Sequence, residues 1–285
     1  MIIVTPYTRR VNRTSTRAPL RRQAALLGVL CTTVLLLVGA DDAADAVPLT
    51  AEQVQHRWHS RLDGRHFSVN LTLSAEVLGE EDARQLVLWR DHTEEGERVM
   101  IRFDAPSDLR GVGLLYLERR DQPNDYFLYQ PATRRVRRLP QVAVKAEAFG
   151  IDLEFIGFGV ARTEPTRIES MTRTRLNGTP AYRLIEVAER ENARFDRRST
   201  WLDAESFMAL RTEHEREGRL MMIAEVSERR TVQGVPTPMR VSFNRLDLGL
   251  SVELVVEKVD YNSEIPAEYF STMALVRGRI QQELR

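Results

Sequence analysis

Cysteine is all but missing from this chain: Cys31 is the only one in 285 residues. A lone cysteine excludes an internal disulfide and a cysteine-rich metal site, so stability in an oxidising compartment has to come from packing. Net charge is missing too, since 41 basic residues balance 41 acidic ones. That balance gives no electrostatic footprint for nucleic acid. Catalytic signatures are also absent: there is no Gly-x-Ser-x-Gly elbow, no P-loop and no Gly-x-Gly-x-x-Gly opening a helix, because Gly111-Val-Gly113 runs into a predicted strand. His56 and His59 sit three apart on a predicted helix, but spacing indicates no third metal ligand and they read as surface histidines. The acidic pairs Glu80-Glu81 and Glu94-Glu95 fall in predicted turns, where solvation explains them. These absences argue against an enzyme, and no cofactor or metal is expected.

Long apolar runs are scarce, with one exception. Arg9, Arg10, Arg13, Arg17, Arg21 and Arg22 precede the run Ala24 to Val38, and small-residue sites follow at Val38-Gly-Ala40 and Ala44-Asp-Ala46. A basic region, an apolar stretch and a small-residue site are the parts of a secretory signal. The run is shorter than the roughly 20 residues that a spanning helix needs. Cys31 lies inside the run and not at its end, which speaks against a lipidated cysteine. The expectation is a cleaved signal over residues 1–46 and a single domain over 47–285, exported to the periplasm. Cleavage would remove six basic and three acidic residues, leaving 35 against 38, and would leave no cysteine.

Beyond residue 46 the sequence first reads as a helix. Thr50 and Gln53 have the spacing of a capping box, and Leu49 and Val54 that of a hydrophobic staple. Ala51, Val54, Trp58 and Leu62 then share one face, which predicts a helix over 50–63 with Gly64 as its stop. After Gly64 the period becomes two. Val69, Leu71, Leu73, Ala75 and Val77 alternate with Asn70, Thr72, Ser74 and Glu76, the pattern of a half-buried strand. Similar strands are predicted at 85–90, 99–103, 113–117, 126–129, 181–187, 198–202, 209–213, 220–226, 237–244 and 250–259, joined by short turns. Ten or eleven strands at this spacing make an antiparallel meander. No Pro/Gly/Ser-rich linker divides them.

Two stretches stand apart. Ala146 to Ala161 carries Phe149, Ile151, Leu153, Phe155, Ile156, Phe158 and Val160 with three glycines, too apolar to be left in water. Arg134-Arg-Val-Arg-Arg138 would, as a strand, be basic on both faces. Charge of that kind guards a sheet edge, or it attracts anionic lipid or an acidic partner.

The stretch around this arginine block resembles a known family. Phe103-x-Ala-Pro106-x-Asp-Leu-Arg-Gly111-x-Gly-Leu-Leu115 and Phe127-Leu-Tyr-x-Pro131-Ala-x-Arg-Arg-Val-Arg-Arg138 are similar to the outer-membrane lipoprotein-sorting proteins, relatives of the periplasmic carriers LolA and LolB. Asn177-Gly-x-Pro-Ala-Tyr-Arg-Leu184, Trp201-Leu-Asp203 and Val259-Asp-Tyr-Asn262-x-x-Ile-Pro-x-x-Tyr-Phe270 continue the resemblance. Phe149-Gly-Ile-Asp152 fits as well, whereas Leu153-Glu-Phe-Ile-Gly157 lacks a further acid that the family places there.

The resemblance implies a mainly β fold: a strongly curved antiparallel sheet forming an unclosed β-barrel, with short helices covering an apolar cavity. It implies a carrier or chaperone that shields the acyl chains of a lipoprotein or lipid during outer-membrane sorting. The alternative is a sensor or accessory subunit of a membrane complex that uses the same scaffold and carries nothing. Trp89, Val99, Ile101, Phe103, Leu115, Leu117 and Leu128 are the expected cavity wall, with Phe149, Leu153 and Phe155 as lid. Arg135, Arg137 and Arg138 are the expected membrane or partner contact. The partners implied are acyl chains or lipid, an inner-membrane transporter complex and an outer-membrane acceptor, with the protein itself a monomer.

Overall fold

The first and last long strands of the chain pair with each other at the middle of one antiparallel sheet. In the computed structural model, which describes residues 48–62, 65–77, 80–119, 122–140, 165–190, 193–261 and 263–277, β1 (Phe67–Val77) lies between β2 (Glu80–Thr93) and β13 (Leu250–Asp260). From β2 the sheet continues through β3 (Gly96–Ala105), β4 (Gly113–Leu117) and β5 (Asp125–Gln130) to an edge at β6 (Arg135–Leu139). From β13 it continues through β12 (Val235–Arg245), β11 (Arg219–Val232), β10 (Ala209–Arg216), β9 (Arg197–Asp203) and β8 (Thr179–Ala188) to the other edge at β7 (Thr166–Leu176). The result is a 13-stranded sheet made of two meanders, with β6 and β7 at its two edges; among the described residues these edges do not pair with each other, so the sheet is not closed into a barrel.

The strands form where apolar and polar residues alternate, and two departures from the sequence expectation are instructive. The sheet has 13 strands where ten or eleven were counted. The uncounted strands are the two edges, β6 and β7; β7 reads Thr-Arg-Ile-Glu-Ser-Met-Thr-Arg-Thr-Arg-Leu and is mostly exposed, so it carries little apolar alternation to betray it. It forms because Asn177 and Gly178 adopt φ values of 49° and 83°, which turn the chain back and pair Leu176 with Thr179 and the strand beyond.

Register shifts bend the sheet. They fall between Asn70 and Leu71, Gln85 and Leu86, Ile168 and Ser170, Ala209 and Arg211, His214 and Glu215, and twice between Val226 and Arg229. Each bulge kinks its strand and increases the local twist, which lets a sheet of this width curl instead of staying flat.

Helix α1 spans Ala51–Ser60, shorter than predicted, because Arg61 and Leu62 leave it in a turn. The capping box is formed: the Gln53 amide donates to Thr50 Oγ1 at 3.3 Å, and the Thr50 amide donates to Gln53 Oε1 at 2.9 Å. Its apolar stripe, Ala51, Val54 and Trp58, packs with Tyr182, Leu184 and Leu202 of β8 and β9. At the other end of the chain a single 3-10 turn, Ala267–Tyr269, leads into α2 (Thr272–Arg277).

Candidate functional site

Cross-strand partners share a face of a sheet, so the register identifies which side chains can act together. One row runs Val69, Leu88, Ile101, Leu114, Leu128 and Arg137 across β1 to β6. On the other side of β1 the same face continues through Leu73, Leu254, Val241 and Val226. Apart from Arg137 and Val226 at the two ends, these residues belong to one apolar cluster that also holds Phe67, Leu71, Leu86, Val99, Phe103, Phe243, Val256 and Tyr261. It extends from β5 to β12. The face is apolar across these strands, and α1 lies over its β7–β10 end, where Val54 packs in a separate cluster.

The opposite face differs between the two halves. The neighbouring row Trp89, Met100, Leu115, Phe127 and Arg138 points away from the first face. Trp89, Met100, Leu115 and Tyr129 cluster with Ile265, Phe270 and Leu275, so the C-terminal segment covers this part of the sheet. Buried Arg102 fastens it, donating to the carbonyl of Leu275 at 3.0 Å. Burial holds the Arg102 guanidinium below its usual pKa.

The seven predicted wall residues are therefore divided. Val99, Ile101, Phe103 and Leu128 share the broad apolar face, whereas Trp89, Leu115 and Leu117 lie on the other side with the C-terminal segment. The reason is the period of two: Trp89 follows Leu88 and Leu115 follows Leu114, so each pair is split between faces. Phe149, Leu153 and Phe155 lie outside the described residues. Arg135, Arg137 and Arg138 are exposed on the edge strand β6. Arg137 donates to Gln130 Oε1 at 2.6 Å, and Arg138 pairs with Asp125 at 2.5 Å.

Two buried polar clusters border the apolar face, and alternation gives no sign of either. Glu186 is 0 % exposed. Its carboxylate accepts from Gln55 Nε2 at 2.7 Å, Thr166 Oγ1 at 3.1 Å, and Arg198 Nε and Nη2 at 3.0 and 2.8 Å. Arg198 in turn lies 5.1 Å from the Trp58 ring of α1. One buried ion pair thus ties the helix to two strands. Across the sheet, Arg90 makes a two-pronged pair with Glu97 at 2.6 and 2.5 Å and donates to the Leu62 carbonyl at 2.8 Å. His92 Nδ1 contacts the same Glu97 carboxylate. The chain leaving α1 is held at this second point.

His214 of β10 is buried against the Phe195 ring, 4.5 Å between centroids. Burial, aided by the charges of Arg198, Arg194 and Arg245, lowers its pKa from 6.5 to about 3, so the imidazole is neutral at physiological pH. Asp203 accepts from the amides of Glu205 and Ser206, from Ser206 Oγ and from Arg229, at 2.8 to 3.1 Å. Burial raises its pKa, but these donors outweigh that and hold the carboxyl below the usual range. Among the described residues no three His, Cys, Asp or Glu side chains come together to hold a metal ion.

The unclosed antiparallel β-barrel, with one broad apolar face and a helix laid over it, is a fold shared with solved structures. A family model described as "Uncharacterized protein" matches residues 95–277, and the chain belongs to that family. A solved outer-membrane lipoprotein-sorting protein domain from Vibrio parahaemolyticus is similar at 19% identity and a TM-score of 0.71, over 80% of this chain and 100% of that one. A DUF1329 family protein from Desulfovibrio piger aligns at 20% identity and a TM-score of 0.67, over 78% and 98% of the two chains. A LolA superfamily protein from Nitrosomonas europaea aligns at 16% identity and 0.61, over 80% and 100%. At these identities the likeness is one of fold. No curated protein matches the sequence. Among the described residues no helix is long and apolar enough to cross a membrane.

Proposed function

We propose that the chain is a periplasmic carrier that shields acyl chains of a lipoprotein or lipid on their way to the outer membrane. The observation that supports this reading is the continuous apolar face running from Leu128 of β5 to Phe243 of β12, bordered by charged clusters at Arg90 and Glu186. An acyl chain moved from water onto such a face gains about 25 cal/mol for each Å² buried. Val99, Ile101, Phe103 and Leu128 are the proposed contacts. Phe149, Leu153 and Phe155 are the proposed lid, and the exposed arginines of β6 are the proposed contact with a donor complex or acceptor. The fold of the sorting-domain structures supports the same reading.

Leu88 and Phe103 are 0 and 1 % exposed, so cargo has to displace whatever covers them. Loading therefore requires opening, which suits a carrier that must also release what it holds. The same burial favours a second reading, an accessory subunit whose closed core carries nothing. Export of the chain to a periplasm, gentle purification and mass spectrometry of extracted lipid separates the two. Stoichiometric lipid or acylated protein supports the carrier. Consistently empty protein supports the accessory subunit.

A further inference from the structure

Few large apolar side chains are exposed in the described part of the molecule, and three of them sit together. Leu220 is 37 % exposed, and Leu246 and Leu248 are each 52 % exposed. Leu220 begins β11 just after the Glu217-Gly218 turn, and Leu246 and Leu248 occupy the tip between β12 and β13. Because β11 and β12 are antiparallel neighbours joined at their other end by Gln233 and Gly234, both tips fall at the same end of the sheet. A hydrogen bond from the Leu246 amide to the Met221 carbonyl, 2.8 Å, holds them side by side.

Charges of both signs surround the leucines, with two exposed arginines among them. Arg216 and Arg219 face each other across the first tip and are exposed. Arg219 has no acidic partner among the described residues, and Arg216 reaches only Glu217 at 4.0 Å. On the second tip the acid is neutralised: Arg245 makes two bonds to Asp247, 2.9 and 2.8 Å, which hold that carboxyl ionised and below its usual pKa. Two exposed acids stand against the arginines: Glu217, and Asp196, which accepts from the Glu217 amide at 2.6 Å.

Three partly exposed leucines on adjoining tips are too small a surface for a stable protein interface, which needs about 800 Å² from each partner. They suit a bilayer surface, where a few apolar side chains enter the headgroup region while flanking arginines meet anionic phosphate. From this arrangement we infer that the β10–β11 and β12–β13 tips form a docking surface for an anionic lipid membrane, with Leu220, Leu246 and Leu248 inserting and Arg216 and Arg219 contacting headgroups. The docking surface is separate from the proposed cargo face and stands or falls independently of it.

The test uses the full chain with Cys31→Ser and one new cysteine carrying an environment-sensitive fluorophore, at Leu248 (Leu248→Cys) or, as control, at exposed Thr172 on β7 (Thr172→Cys). Vesicles of phosphatidylcholine with phosphatidylglycerol are expected to shift the Leu248 probe to the blue and leave the Thr172 probe unchanged. Vesicles of phosphatidylcholine alone give a smaller shift. Arg216→Gln with Arg219→Gln lowers the vesicle partition coefficient about tenfold or more, at roughly 1 kcal/mol for each basic residue near the surface. Leu246→Ser with Leu248→Ser lowers it by a similar factor while leaving the melting temperature unchanged. No shift at Leu248, equal shifts at both probes, or unchanged partitioning of the leucine variant overturns the proposal. The first of these is also the result expected if the apolar segment Ala24 to Val38 alone binds vesicles.

Discussion

Leu275 of the C-terminal helix presses on the backbone of Gly113 so closely that a β-carbon at position 113 would lie 2.7 Å from Leu275 Cδ2. Leu275 is fully buried at this point, between the outer row of β3–β5 and its own helix. The C-terminal segment can approach the sheet because position 113 has no side chain.

Gly113→Ala is accordingly expected to destabilise the fold by about 1 to 3 kcal/mol, the usual cost of overpacking a well-filled site. Leu275→Ala is expected to cost about 2 to 5 kcal/mol through the cavity it leaves. The double variant should be less unstable than the sum, since alanine at 275 makes room for the new methyl. Urea unfolding of the two singles and the double measures this coupling. Strict additivity would show that the two positions do not meet.

Arg102→Met is expected to loosen the same segment without emptying the core beneath it. The buried guanidinium donates to the Leu275 carbonyl, so its loss removes the polar anchor of α2. Amide hydrogen exchange should accelerate across residues 265–277 and stay unchanged in β1 and β13. Equal acceleration throughout would mean that Arg102 supports the whole sheet.

Glu186→Gln tests the clamp on α1. The substitution leaves half-buried Arg198 without its carboxylate, which costs about 1 to 3 kcal/mol, less than for a fully buried pair. Glu186→Leu combined with Arg198→Met removes both charges and should recover much of that loss. Chemical unfolding gives both values, and a single variant within about 0.5 kcal/mol of the parent would refute the role assigned to the pair.

Acid sensitivity is expected from His214. Its folded pKa, about 3, lies below the ordinary 6.5 that the unfolded chain recovers, so between these values the unfolded state binds the extra proton. Stability contributed by the neutral imidazole is full above the ordinary value and falls as the pH is lowered through this window. From pH 6.5 to 5 the loss from this group is roughly 1.5 kcal/mol by linkage. Unfolding free energies of the parent and of His214→Gln, measured across that range, should differ in slope by up to one proton. Parallel curves would exclude the histidine as the source.

How far the fold was legible in the sequence depends on where each strand keeps one wet face. β13 alternates Leu250, Val252, Leu254 and Val256 with Ser251, Glu253, Val255 and Glu257, and it could be read directly. The Thr50 and Gln53 capping box was legible for a similar reason, because its partners are three residues apart. β7 was not legible, since an edge strand exposed to water has little apolar periodicity to show. Assignment of faces failed at Trp89, Leu115 and Leu117 because β2 to β5 are apolar on both sides. Leu88 and Trp89, or Leu114 and Leu115, look alike in sequence when one face packs on the sheet's own interior and the other beneath the C-terminal segment.

By itself the sequence determined the strand-rich class, the first helix and its cap, the turn at Asn177-Gly178 and the family likeness, all of which rest on contacts within a few residues. Tertiary structure alone decided that β1 pairs with β13, that Glu186 and Arg198 tie α1 to the sheet, that Leu275 covers Gly113, and that the Leu246 amide bonds to Met221 at one end. Periodicity reports that a strand has two faces. Which face is covered, and by what, depends on long-range register, where one residue of slip exchanges inside for outside.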